Sequence, residues 1–119
     1  MEDFFTQLMI PSLISGIIFT VIGYVMYTFP PKEINGLYGY RTSSSIKSQE
    51  RWDFSQRYSS LQMIKGGAAM IVLSLLAGFI PVTDALKQIA GLVVLVLCAI
   101  YLIASTEMAL KKQFPKPKA

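Results

Sequence analysis

The chain has 119 residues, of which 53% are apolar and only 15% charged, and its mean hydropathy is +0.49. Soluble domains carry about a quarter charged residues, so this composition excludes an ordinary soluble fold and assigns the chain to a membrane. Histidine is absent and Cys98 is the single cysteine, which excludes a disulfide framework or a zinc site within one chain, and no cofactor is expected. The formal charge of +4 is spread over eleven basic residues with no stripe long enough to follow a phosphate backbone, so nucleic acid is not an expected partner.

In chain order, three stretches reach the roughly twenty apolar residues that a helix needs to cross the hydrocarbon. They predict transmembrane helices at about 8–29, 61–80 and 88–108, within a single all-α membrane domain spanning 1–119. Pro11 falls in the opening turn of the first, where its missing N–H costs little. The acidic start, Glu2 and Asp3, and the length of the apolar stretch behind it argue against a cleaved signal, so the first segment is expected to stay in the mature protein. Continuous apolar runs without alternation exclude barrel strands.

Pro30 and Pro31 end the first span and open a loop over 30–60. Ser45 to Ser60 contains no glycine or proline, and Arg51, Phe54, Tyr58, Leu61 and Lys65 recur at helical steps. This pattern predicts a helix near the interface that leads into the second span. The connection from Ile80 to Leu86 is short, so spans two and three form an antiparallel hairpin.

Ten of the eleven basic residues fall in the long loop, at its edge or in the tail over 111–119, leaving Lys87 alone on the other side. The positive-inside rule then predicts a plasma-membrane protein with its N-terminus outside and its loop and C-terminus cytoplasmic. Small residues recur every seventh position, at Gly16 and Gly23, Gly67 and Ser74, and Gly91, Cys98 and Ser105. That spacing predicts one small-residue seam per helix facing the bundle axis. Lys65 and Glu107, each near the loop end of its span, are expected to pair with one another.

The densest signal is the run Asn35-Gly36-Leu37-Tyr38-Gly39-Tyr40-Arg41-Thr42, followed by Ser45, Lys47 and Trp52. Tyr38, Tyr40 and Trp52 suit the headgroup level. The hydroxyls from Thr42 to Ser45 either cap the loop helix or, with Arg41, form a seat for a phosphate or carboxylate. This string resembles the signature of the SdpI-like family of bacterial integral membrane proteins, over about Tyr24 to Ala77. The resemblance implies immunity to a secreted, membrane-active peptide toxin, with Asn35, Tyr38, Gly39, Tyr40, Arg41, Thr42, Ser45 and Trp52 forming or supporting the binding site. Expected partners are membrane lipids, a peptide toxin, a cytosolic regulator and a second copy of the chain. A transporter subunit or a membrane scaffold docking a cytosolic partner is the alternative. Glu50 and Asp53 stand beside Arg51 and Arg57, which neutralise them, so an enzyme is not expected.

Overall fold

The computed structural model describes residues 8–115, so Glu2, Asp3 and the tail lysines Lys116 and Lys118 lie outside it. Three helices make up the described chain: α1 (Ile10–Thr28), α2 (Gln49–Leu76) and α3 (Asp84–Gln113). Short 3-10 turns at Ser45–Lys47 and Ala77–Phe79 flank α2, and the described residues form no strand. Each helix contains an 18-residue stretch apolar enough to cross a bilayer, with mean hydropathies of 1.8, 1.6 and 2.6 over those stretches. The protein is a multi-pass, all-helical membrane protein.

With 28 residues α2 is about 42 Å long, well beyond the roughly 30 Å of hydrocarbon. The expected loop helix and second span are therefore one unbroken helix. It starts at Gln49 rather than Ser45, because Ser48 is extended (φ −154°, ψ 161°) and its Oγ accepts the Arg51 N–H at 3.1 Å. Ser48, not the Thr42–Ser45 run, is thus the N-cap.

Lipid gives helices little hydrophobic reason to associate, so contact depends on close approach and on polar groups. The α1–α2 seam shows both. Gly16 and Gly67 face each other so closely that a Cβ on Gly16 would lie 2.8 Å from the Gly67 carbonyl oxygen, and one on Gly67 would strike Thr20 Oγ1. Thr20 gives its hydroxyl proton to the Gly16 carbonyl at 2.7 Å, which leaves it no unpaired group in the seam. Farther along, the Ser12 and Ser74 hydroxyls share a hydrogen bond of 2.5 Å. The seven-residue seam is present on α1 and α2, where Gly16, Gly23, Gly67 and Ser74 are all buried. On α3 only Gly91 is buried, while Cys98 and Ser105 are partly open.

At the end remote from the loop, Gln88 of α3 holds the start of α1. Its Oε1 accepts the Ile10 N–H at 3.3 Å and its Nε2 donates to the Leu8 carbonyl at 2.9 Å. Such bonds satisfy groups that a helix start cannot pair by itself.

The hairpin register does not bring Lys65 and Glu107, expected to pair, together. Gly66 lies against Cys98 and Arg51 against Phe114, which places Lys65 opposite Ala99 and Glu107 opposite Arg57. The two charges are eight positions apart along the bundle, about 12 Å of helix rise. Glu107 instead lies beside Tyr40, and Lys65 is exposed in a groove with Cys98 and Tyr101.

Candidate functional site

The segment between α1 and α2 has almost no regular structure, yet its polar groups are systematically paired. Beyond α1, the Pro31 carbonyl accepts the indole N–H of Trp52 at 2.7 Å, and Trp52 is completely buried. Asn35 forms the next turn: its Oδ1 accepts the N–H groups of Leu37 (2.9 Å) and Tyr38 (2.7 Å), and its Nδ2 donates to the Glu33 carbonyl (3.0 Å). An asparagine that bonds the backbone two and three residues ahead acts as a turn built from a side chain. Tyr38 then reaches back, its hydroxyl donating to the Phe29 carbonyl at 3.0 Å, one of the acceptors left over at the end of α1.

Gly39 is the tightest point. Its φ of +108° lies in the region that side chains rarely adopt, and an added Cβ would stand 2.5 Å from Gln56 Oε1 and 2.7 Å from Pro31 Cγ. The reason for this close approach is the adjacent Tyr40. Gln56 of α2, 1% exposed, accepts the Tyr40 N–H through Oε1 at 2.6 Å and donates through Nε2 to the Tyr40 carbonyl at 2.7 Å. Its side-chain amide therefore pairs with one residue of loop backbone as a neighbouring strand would. Ser45 completes the segment. Its Oγ accepts the Thr42 N–H at 2.8 Å and reaches the Thr42 carbonyl at 3.0 Å, while its own N–H is directed to Thr42 Oγ1 at 3.2 Å.

Tyr40 also ties the loop to α3. Its hydroxyl stands 3.4 Å from the Ile103 carbonyl, with the Glu107 carboxylate beside it. Burial, and then the neighbouring Glu107 charge, push the phenol well above its usual range, so Tyr40 stays neutral at any physiological pH.

Seven of the eight motif residues thus use a backbone or side-chain group to shape or hold the loop. Arg41 does not. It is exposed, near Gly36, and its guanidinium has no acceptor among the described residues. Arg41 lines a groove of about 580 Å3 to which all three helices contribute: Ile22, Val25 and Met26 of α1, Met63 of α2 and Ile103 of α3. Leu37, 99% exposed, lines the same groove.

Sequence reasoning missed Gln56. The signal available was the stripe Trp52, Ser55, Gln56, Ser59 and Ser60, which carries no charge although Arg51, Asp53 and Arg57 interrupt it in sequence. All five of those residues are buried. The described residues include no cluster able to hold a metal ion.

A family model described as the SdpI/YfhL protein family matches residues 32–106, which takes in the loop, all of α2 and most of α3. The chain belongs to the SdpI/YfhL family. It is also 39% identical over 66 residues to the "Uncharacterized protein YfhL" of Bacillus subtilis (strain 168). That match covers 56% of this chain and 60% of the relative, so the chain spans about three-fifths of the length of the relative it matches. No solved structure matches the chain. The Asn35–Thr42 loop, Trp52 and Gln56 all fall within the part shared with the family, while α1 lies before it.

Proposed function

We propose that the protein is a membrane immunity or sensing protein that captures a secreted, membrane-active peptide in the groove beneath the Asn35–Thr42 loop. The observation that carries this reading is Arg41, the motif residue with no partner among the described residues, lining a groove whose apolar residues come from three helices. A membrane-active peptide presents both matching features, an apolar face for the groove and a carboxylate for the planar, five-donor guanidinium. Membership in a family named for toxin immunity supports the same choice. The loop lies on the cytoplasmic side in this reading, because ten of the eleven basic residues belong to the loop, its edge and the tail. The peptide is then met after it has entered the bilayer.

Expression in a sensitive bacterium challenged with a panel of membrane-active peptides tests the function. Protection against one peptide is expected, and it is lost in Arg41→Ala at unchanged protein level. Growth no better than that of the empty host against every peptide contradicts immunity, and protection by Arg41→Ala equal to the parent contradicts the site. For the orientation, a label that cannot cross the membrane should react with Thr83→Cys and spare Ser48→Cys in a Cys98→Ala background.

A further inference from the structure

A second groove lies between α2 and α3 at the same end of the bundle, and the peptide-binding site makes no use of it. It is the most voluminous of the described grooves, at about 880 Å3, and its wall is aromatic. Phe54 and Tyr58 stack with ring centroids 5.8 Å apart and planes 19° from parallel. Phe114 meets Phe54 edge-on at 5.9 Å, which fixes that wall. Tyr101 and Met108 of α3, 59% and 70% exposed, line it as well, and on α3 the lining residues run from Tyr101 to Gln113.

Its open end carries Lys111 and Lys112, both exposed, and none of the described residues lining it is acidic. Arg51 is already engaged: its Nη2 donates to the Phe114 carbonyl at 3.0 Å and its guanidinium lies over the Phe114 ring at 5.3 Å. The partial negative charge at the end of α3 opposes an anion there. Two full lysine charges outweigh it, and Arg51 covers one of the end carbonyls.

We infer that this trough holds one anionic phospholipid, with its phosphate at Lys111 and Lys112 and an acyl chain along Phe54, Tyr58, Tyr101 and Met108. The occupant follows from the shape of the charge. A cation pair beside an apolar, aromatic groove between two membrane-spanning helices matches an anionic headgroup on an acyl chain, and a zwitterionic lipid would bring its own cation against the lysines.

Native mass spectrometry of the purified full chain, titrated with phosphatidylglycerol or phosphatidylcholine, reads this directly. Phosphatidylglycerol should be retained at one molecule per chain with a preference of about thirtyfold, the scale set by two lysines at an anionic surface. Lys111→Gln with Lys112→Gln should abolish the preference, and Ala109→Trp, which blocks the trough and keeps its charge, should remove both lipids. Lys32→Gln with Lys47→Gln removes the same charge from the other loop face and should leave retention unchanged. Equal losses in the two double lysine variants would show general charge attraction and overturn the site. Displacement by inorganic phosphate would show an anion site without a chain and overturn it equally.

Discussion

Between Trp52 and Ser60, α2 buries an indole, an amide and three hydroxyls, whereas between Gly67 and Ser74 it buries a glycine, a methionine and one hydroxyl. The second region meets α1 by close approach of backbone, the means of association available where the surroundings are as apolar as the side chains. The first holds an irregular loop, and it does so with directed bonds: Trp52 to Pro31, and Gln56 twice to Tyr40. The contrast teaches that the loop belongs to the core of the fold, since its backbone completes the hydrogen bonding of buried α2 side chains. An irregular segment tied down in this way can present one arginine at a fixed place.

The largest effect should come from breaking the close-approach region. Gly67→Leu drives a side chain into Thr20 and the Gly16 backbone, and should cost about 3 kcal/mol or prevent assembly of α1 with α2. Thermal melting in detergent checks it. Gln56→Leu attacks the other region, leaving the Tyr40 N–H without a partner and its carbonyl with only the Ser45 hydroxyl at 3.3 Å, at a cost of about 2 kcal/mol. Its signature is local: trypsin should cut at Arg41 or Lys47 many times faster than in the parent, while the Gly16–Gly67 contact survives.

A smaller effect is expected at Tyr40→Phe, about 0.5 kcal/mol at neutral pH because the bond to Ile103 is long. The pH dependence sharpens the point. The folded phenol ionises above its usual value, so its contribution is fully present below about pH 10 and is lost as the pH rises beyond that. The parent should therefore lose stability in alkaline solution, and Tyr40→Phe should lose less over the same range.

Much of this was legible in the sequence. Three apolar runs gave the spans, tandem prolines marked the end of α1, and the Asn35–Thr42 string with Trp52 marked the loop, because each of these signals is local. Three features depended on what lies across the bundle. Gln56 reads as an ordinary polar residue on a helix until the Tyr40 backbone is placed against it. Ser45 and Thr42 look like helix caps, but they satisfy each other and leave the cap to Ser48. Lys65 and Glu107 are both near the loop end of their spans, yet the register set by Gly66 against Cys98 and Arg51 against Phe114 separates them by more than two turns. Interhelical register is fixed by packing, and no single span encodes it.

The central claim is that the buried α2 amide and indole hold the loop while Arg41 is left free to bind. Melting temperature and protection, measured together for Arg41→Ala, Arg41→Lys and Gln56→Leu, test it most directly. The account predicts that both arginine variants melt within the range of an ordinary surface substitution, about 0.5 kcal/mol, yet lose protection, the lysine nearly as completely as the alanine. Gln56→Leu should lose stability and protection together. Full protection by Arg41→Lys, or a fall in melting temperature for the arginine variants as large as that for Gln56→Leu, would contradict it.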